Sequence, residues 1–311
     1  MMNTELTFKP AFEERYTSLT DWNVFKDVCA TYLRRSIRVN TLKISVPDLV
    51  KRLSRDWNLT PIPWCSEGFW ITHKQGRRDV GNLIEHSLGY IYIQEAASMI
   101  PPIVLGAQPG EIVLDMCAAP GSKTSQIAAA MQNTGVLVAN DFKGDRIAAL
   151  GINLQRCGAL NTTVTQMQGH RFGKTPQCYD RVLCDAPCSG TGTIRKSLKT
   201  LRIWNPTMIT RLSTAQKQLI YTAYSVLRDY GTLVYSTCSL EPEENEGVVD
   251  SLLSRHPKAT IEKIDLPIKR SPAALSYEGK TYDPRICEAL RIWPQDNDTE
   301  GFFVCKIRKN V

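Results

Sequence analysis

Long apolar runs are missing from this sequence. No uninterrupted apolar stretch in its 311 residues approaches the roughly 18 that a membrane-spanning helix requires, so no membrane partner is expected. The opening MMNTELTFKPAFEERY carries three glutamates by Glu14 and no apolar run behind a basic patch. That is unlike a secretory or transit leader, and a cytoplasmic location is expected. Histidine is scarce: His73, His86, His170 and His256 are the only four, and the ten cysteines include no C-x-x-C pair. This spacing excludes the usual zinc sites, and no metal is expected. Cysteines in a reducing compartment do not build a disulfide framework, which leaves buried packing residues or reactive groups. A complete G-x-G-x-x-G is also missing, disfavouring a nicotinamide dinucleotide relative to an adenosine ligand without a pyrophosphate. There is no internal repeat and no low-complexity tract.

What is there reads as a globular protein, 42% hydrophobic and 22% charged, with enough chain for one large domain or two smaller ones. The formal net charge of +7 favours a polyanionic partner, although an excess of this size also occurs in proteins that bind none. Local basic clusters fall at Arg34, Arg35 and Arg38, at Arg77 and Arg78, and at Arg195, Lys196, Lys199 and Arg202.

From residue 111 onward short apolar runs alternate with amphipathic stretches, the rhythm of a sheet covered by helices. Strands are expected at 112–116, 136–140, 162–167, 181–185 and 232–236, with a closing pair near 261 and at 302–306. Helices are expected at 145–157, stopped by Gly158, and at 207–227, started by Pro206 and followed by Gly231. The first ninety residues read as a small α+β module: a helix at 22–34, a strand at 37–42, a helix at 46–56 and a strand at 69–72. Loops are expected at 61–63 and 76–78. Residues 90–105 bridge the two as a strand and a helix stopped by Pro101 and Pro102. The expected division is a module of residues 1–90 and an α/β catalytic domain of residues 91–311.

The run EIVLDMCAAPGSKTSQIA puts Asp115 at the end of a strand, then a turn with Pro120 and Gly121, then a helix. That is where open α/β sheets bind ligands. A glycine there lets backbone approach the ligand, and the helix start offers unpaired N–H groups. Asp141, about twenty residues on at the end of the next strand, can accept hydrogen bonds from ribose hydroxyls. On spacing alone a purely structural turn, with Asp115 as a helix cap, fits as well.

Two further strands end in DAPCSGTG and YSTCSLEPEENE. If they are neighbours, Asp185, Cys188 and Cys238 share one edge of the sheet. That combination suits methylation at carbon 5 of a pyrimidine, which is too electron-poor to accept a methyl group until a nucleophile adds at carbon 6. A thiolate attacks and leaves well, an acid near ring nitrogen 3 stabilises the developing charge, and a base removes the hydrogen from carbon 5. Spacing does not rank the two cysteines. Cys184 reads as core and Cys117 as packing, and Cys29, Cys65, Cys157, Cys178, Cys287 and Cys305 lack a suitable neighbour.

With these motifs assembled, the chain closely resembles the NOL1/NOP2/Sun family of RNA 5-methylcytosine methyltransferases, in the compact form of archaeal-type members. The resemblance runs through SIRVNTLK (36–43), YIQEAASMIPP (92–102), DMCAAPGSKT, DAPCSGTG, YSTCSLEPEENE and GFFVCKI (301–307). It implies a class I, Rossmann-like methyltransferase sheet of seven strands that uses S-adenosylmethionine, with an RNA-binding module in front. It further implies that Cys238 is the nucleophile, that Cys188 helps release the product, that Asp185 contacts the cytosine and that Lys123 lies beside it. The cofactor would rest on Cys117, Ala118, Ala119, Pro120, Gly121, Ser122 and Lys123, with Asp141 on the ribose and Arg146 and Asp185 nearby.

Two departures stand out. Ser122 replaces a second glycine, and Gln168, in QGH where the family commonly reads D-G-R, would meet the adenine amino group without a charge. Members of the family act on tRNA and on rRNA; the compact form of the chain favours tRNA, with rRNA as the alternative, and a monomer is expected. A DNA cytosine methyltransferase would attack from the PC motif at Cys188 instead. An inactive RNA-binding assembly factor would have lost one of these groups, and none is missing. Attack at carbon 6 requires the base to be flipped out; Arg195, Lys196, Lys199 and Arg202 are expected on nearby phosphates, and Trp204 on a base.

Overall fold

Runs such as IVLD at Ile112–Asp115 and VLVAND at Val136–Asp141 are apolar on consecutive positions, so they need cover on both faces. The computed structural model, which describes residues 6–311, buries them in a mixed sheet between two helical layers. Residues 1–5, the start of the segment read above as unlike a leader, lie outside the described residues.

The strands in chain order are β1 (Ser36–Val39), β2 (Trp57–Ile62), β3 (Cys65–His73), β4 (Ile91–Ile93), β5 (Ile112–Asp115), β6 (Val136–Asp141), β7 (Thr162–Gln166), β8 (Tyr179–Asp185), β9 (Leu227–Thr237), β10 (Thr260–Glu262), β11 (Ser276–Tyr277), β12 (Lys280–Thr281), β13 (Leu290–Ile292) and β14 (Phe302–Arg308). The large sheet runs β10-β14-β9-β8-β5-β6-β7, with β13 also on β14. Strands β5 to β9 are parallel and β14 is antiparallel to β9. Chain order reverses between β5 and β8, so the ends of these strands open the cleft in which such sheets bind ligands. A smaller antiparallel sheet has the order β2-β3-β1-β4 and extends to residue 93.

Several expected ends move for local reasons. The helix at Gly144–Cys157 stops at Gly158, in the left-handed region at φ 73°, as its sequence requires. The next long helix, Pro206–Ser225, passes through Val226 directly into β9, so Gly231 lies inside a strand rather than after a helix. A Cβ there would fall 2.9 Å from the Arg228 carbonyl oxygen. Pro101 and Pro102 begin the helix Ile100–Leu105 instead of stopping it, because a first turn has no use for their missing N–H groups. Pro61 and Ile62 belong to β2, an edge strand, where proline is tolerated. The first long helix ends at Cys29 rather than near 34. Beyond it the Thr31 hydroxyl and the Tyr32 carbonyl accept hydrogen bonds from Arg195 at 3.0 Å each.

The helices Pro10–Thr17 and Trp22–Cys29 do not pack on the small sheet. Phe12, Tyr16, Trp22 and Phe25 form a core cluster with Trp204, Leu240 and Trp293. Arg15 Nε lies 2.7 Å from Glu241. The N-terminal segment thus straps across the loops that follow β8 and β9.

Candidate active site

Asp185 ends β8 and stands opposite Ser236 on parallel β9, so the turns carrying Cys188 and Cys238 leave the sheet at one edge. The two Sγ atoms are 3.3 Å apart. A single buried carboxylate ties the residues that follow them. Glu244 accepts from the Ser189 N–H at 3.0 Å, from the Ser189 hydroxyl, from the Ser239 hydroxyl at 2.5 Å and from the Gln216 amide at 2.9 Å. The Gly192 N–H donates to the Cys238 carbonyl at 2.9 Å, closing the second link between the turns.

The Cys188 thiol is held well above the ordinary thiol range, first by its hydrogen bond to Cys238 and then by burial. Either sulfur can donate in the contact between them. Asp185 accepts from the Ser236 hydroxyl and from Lys123 Nζ, each at 2.7 Å. Burial works against the Lys123 ammonium, but Asp185 outweighs it and keeps the amine charged above its usual range. The Phe302 ring lies 5.5 Å from that ammonium.

Cys238, Asp185, Lys123 and Phe302 line a cavity of about 430 Å³ together with Asp115, Cys117, Ala118, Ala119, Pro120, Ser122, Arg146, Glu95 and Glu300, and Cys188 stands just behind its wall, against Cys238. A second cavity of about 270 Å³ shares Cys117 and Arg146 with it and adds Met116, Asn140, Asp141, Phe142, Gln168 and Leu219. The expected loop other than Gly121 thus borders the first cavity, Asp141 and Gln168 border the second, and Cys117 and Arg146 border both. Asp141 is partly engaged: it accepts from the Ala119 and Lys143 N–H groups at 3.2 and 3.1 Å and pairs with Arg146 at 3.3 Å. Asp115 Oδ2 accepts from the Thr124 hydroxyl at 2.7 Å, whereas buried Oδ1 has no partner among the described residues. Burial pushes its carboxyl up to about 7. Gly121, at φ 103°, packs so closely that a Cβ would meet Leu150 at 3.0 Å.

Cys184 is core, as expected, and Cys117 borders both cavities with a thiol pushed up by burial and by Cys184. Two expected RNA contacts are corrected. Arg195 is only 4% exposed and donates to Asp298 at 2.6 Å and to the Thr299 carbonyl at 3.2 Å, so it joins loops and meets no phosphate. Trp204, 2% exposed, packs edge-on against Phe12 and donates to Glu241 at 3.0 Å, leaving no face for a base. Lys196, Lys199 and Arg202 are exposed. Glu95, Glu244 and Glu300 went unread in the sequence. The run EPEENE after Cys238 was the available signal, but an acidic run ordinarily marks a solvated face.

Residues 102–308 match the family described as 16S rRNA methyltransferase RsmB/F, and residues 8–96 match the N-terminal domain of 16S rRNA methyltransferase RsmF. The chain belongs to the RsmB/F family of RNA cytosine-5 methyltransferases. Among RsmB/F relatives, the tRNA (cytosine(49)-C(5))-methyltransferase of Pyrococcus abyssi is 48% identical, covering 95% of this chain and 94% of its own length. The ribosomal RNA small subunit methyltransferase F of Erwinia tasmaniensis is 43% identical over 97% of this chain but only 63% of its own length. The chain therefore spans less than two thirds of that bacterial protein. A methyltransferase homolog from Pyrococcus horikoshii superposes with a TM-score of 0.87 at 38% identity, covering 98% and 96% of the two chains. NSun6 from the same organism, solved with SFG, shares the fold at a TM-score of 0.85 and 23% identity over 98% and 99% of the chains. The Rossmann-like methyltransferase fold of RsmB/F proteins is thus the fold expected from the sequence.

Proposed function

We propose that this RsmB/F chain converts cytosine to 5-methylcytosine in RNA, with tRNA as the favoured substrate and S-adenosylmethionine as the donor. The observation that carries the reading is the 3.3 Å pair of sulfurs beside the Asp185–Lys123 ion pair. The near full-length likeness to the Pyrococcus abyssi tRNA enzyme favours tRNA over rRNA.

The cleft fits the donor. The partnerless Asp115 Oδ1 suits an ammonium, Asp141 keeps lone pairs for ribose hydroxyls, and Gln168 lies beside apolar Met116, Phe142 and Leu219 for an adenine. S-adenosylmethionine, when bound there, supplies the methyl group to carbon 5. Cys238 adds through its sulfur to carbon 6 of the flipped base, which sends electron density into the ring. Lys123, held by Asp185, meets that negative charge with a proton donor. Once carbon 5 carries the methyl group, the Cys188 sulfur, having released its own proton to solvent, takes the proton from carbon 5 and leaves the electron pair of that bond in the ring. The bond from Cys238 to carbon 6 then breaks and the ring regains its aromaticity.

RNA would be held by the module of residues 1–90 and the rim of the cleft, through exposed Arg34, Arg35, Arg77, Arg78, Lys196, Lys199 and Arg202. In place of Trp204 an exposed aromatic of the N-terminal module, Tyr32, 52% exposed and with the Arg78 guanidinium 5.0 Å from its ring centre, is open to a base. The test uses tRNA carrying 5-fluorocytosine, which traps the covalent adduct. Cys238→Ala should abolish trapping and Cys188→Ala should accumulate adduct with ordinary cytosine. Loss of trapping in Cys188→Ala but not in Cys238→Ala would reverse the assignment. Labelling of bulk rRNA but not tRNA would overturn the substrate.

A further inference from the structure

Four carboxylates border the cavity that holds Cys238: Glu95, Asp115, Asp185 and Glu300. Two of them are fully committed. Both oxygens of Asp185 are occupied by Ser236 and Lys123. Glu95 accepts from the Ala97 and Ser98 N–H groups through one oxygen, at 2.7 and 3.2 Å, and from the Glu300 N–H through the other, at 3.2 Å. Asp115 has a free oxygen but stands at the end of β5, on the donor side of the cleft. Glu300 differs from all of these. It is 3% exposed, yet its carboxylate accepts no hydrogen bond from any described residue, and Oε1 is fully buried. The nearest cation, Lys196 Nζ, is 3.7 Å away, too far for a hydrogen bond. Burial pushes the Glu300 carboxyl up, while Lys196, Lys123 and Arg195 draw it towards the charged form.

A buried acceptor without a donor is costly, on the order of 1–3 kcal/mol or more for a charged group, unless a ligand completes it. Its position says which ligand. The Gly301 N–H donates to the Gly192 carbonyl at 2.9 Å, and the Gly192 N–H donates to the Cys238 carbonyl at 2.9 Å. Glu300 is therefore fixed, through its neighbour Gly301, two backbone hydrogen bonds from Cys238, in the cavity that both residues line. On a pyrimidine the exocyclic group at carbon 4 shares a ring edge with carbons 5 and 6, so a base whose carbon 6 meets Cys238 carries that group within the same cavity that Glu300 lines. Cytosine has an amino group there, with two N–H donors, and uracil has a carbonyl acceptor. A carboxylate accepts from the first and repels the second.

We propose that Glu300 reads the exocyclic amine of the target cytosine and is the residue that discriminates cytosine from uracil. The inference rests on the methyltransferase reading above and adds a specificity role that the Cys188, Cys238, Asp185 and Lys123 set does not supply. Glu300 contributes no structural hydrogen bond through its carboxylate, so its replacement by glutamine is tolerated by the fold. The glutamine amide presents a donor as well as an acceptor, and so admits the uracil carbonyl.

The experiment first maps the methylated position in tRNA by bisulfite sequencing, then compares that tRNA carrying 5-fluorocytidine or 5-fluorouridine at that position alone. The wild type should form adduct with the first and little with the second. Glu300→Gln should lower kcat/KM for cytosine by about tenfold or more and reduce the cytosine-to-uracil trapping ratio by at least about tenfold. Glu300→Asp, which keeps the carboxylate, should be slower but retain most of the ratio. A folded Glu300→Gln variant whose ratio stays within about twofold of the wild type would overturn the proposal. Failure of the wild type to trap 5-fluorocytidine tRNA would instead overturn the enzymatic reading, so the two failures are distinguishable.

Discussion

Asp115 illustrates how a single side chain links the ligand to stability. Its folded carboxyl titrates at about 7 against an ordinary 3.8, mainly through burial. A raised carboxyl favours the folded state fully below the ordinary value, and that contribution is lost as pH rises through about 7. Glu95, also pushed up to about 7 by burial and by Glu300, acts in the same direction. Urea denaturation of the protein without donor should therefore show stability falling between about pH 4 and 7, and Asp115→Asn should flatten part of that slope. Gln168 is the other informative residue of the donor cleft. Gln168→Asp restores a charged acceptor, and calorimetry should find S-adenosylmethionine bound more than about twofold tighter; a smaller change would remove Gln168 from the adenine site. The sequence places the two cysteines at one sheet edge only on the condition that their strands are neighbours. Only the register of Asp185 against Ser236, which depends on distant strands, brings them to 3.3 Å.

At the scale of elements, the parallel strands were legible because a strand buried on both faces must be apolar at successive positions. Those of β5 and β6 fall within a residue of the expected ends. Less legible were elements whose ends are set by neighbours. β9 begins five residues before the expected start at 232, with Tyr230 in the left-handed region at φ 60°. The acidic run after Cys238 was opaque for the same reason. Its members serve different partners, Glu241 the N-terminal Arg15, Glu244 the two cysteine turns and Glu246 the buried Arg291 at 2.6 Å. The link between these turns gives a direct test. A Cβ on Gly192 would stand 2.2 Å from the Gly301 carbonyl oxygen and 2.8 Å from that of Cys238. Gly192→Ala should therefore cost about 1–3 kcal/mol in urea denaturation and slow adduct formation by about tenfold or more, because the sulfur is displaced from carbon 6.

Across the whole molecule, charge was easier to count than to place. Arg195 and Arg202 look alike in sequence, yet one reaches a loop 103 residues away and the other faces solvent. Nothing within the 195–204 segment foretells its burial under the N-terminal helices. Reversing Lys199 and Arg202 together should reduce the salt dependence of tRNA binding by a slope of about 1–2. Trp204→Ala should leave that slope unchanged while costing about 3–5 kcal/mol of stability as a core truncation.

The strap of residues 10–29 also bears on how the chain comes to be folded. Tyr16 and Phe25 pack edge-on against Trp293, and Thr20 receives a hydrogen bond from Gln295, 275 residues later. A chain emerging from the ribosome makes its first helices long before their partner exists, so that core closes only near the end of synthesis. A fragment confined to residues 102–308 would leave Trp204 and Trp293 uncovered and Glu241 without Arg15. Residues 102–308 alone should therefore be less stable than the whole chain, because the core around Trp204 and Trp293 is completed by the chain's own beginning.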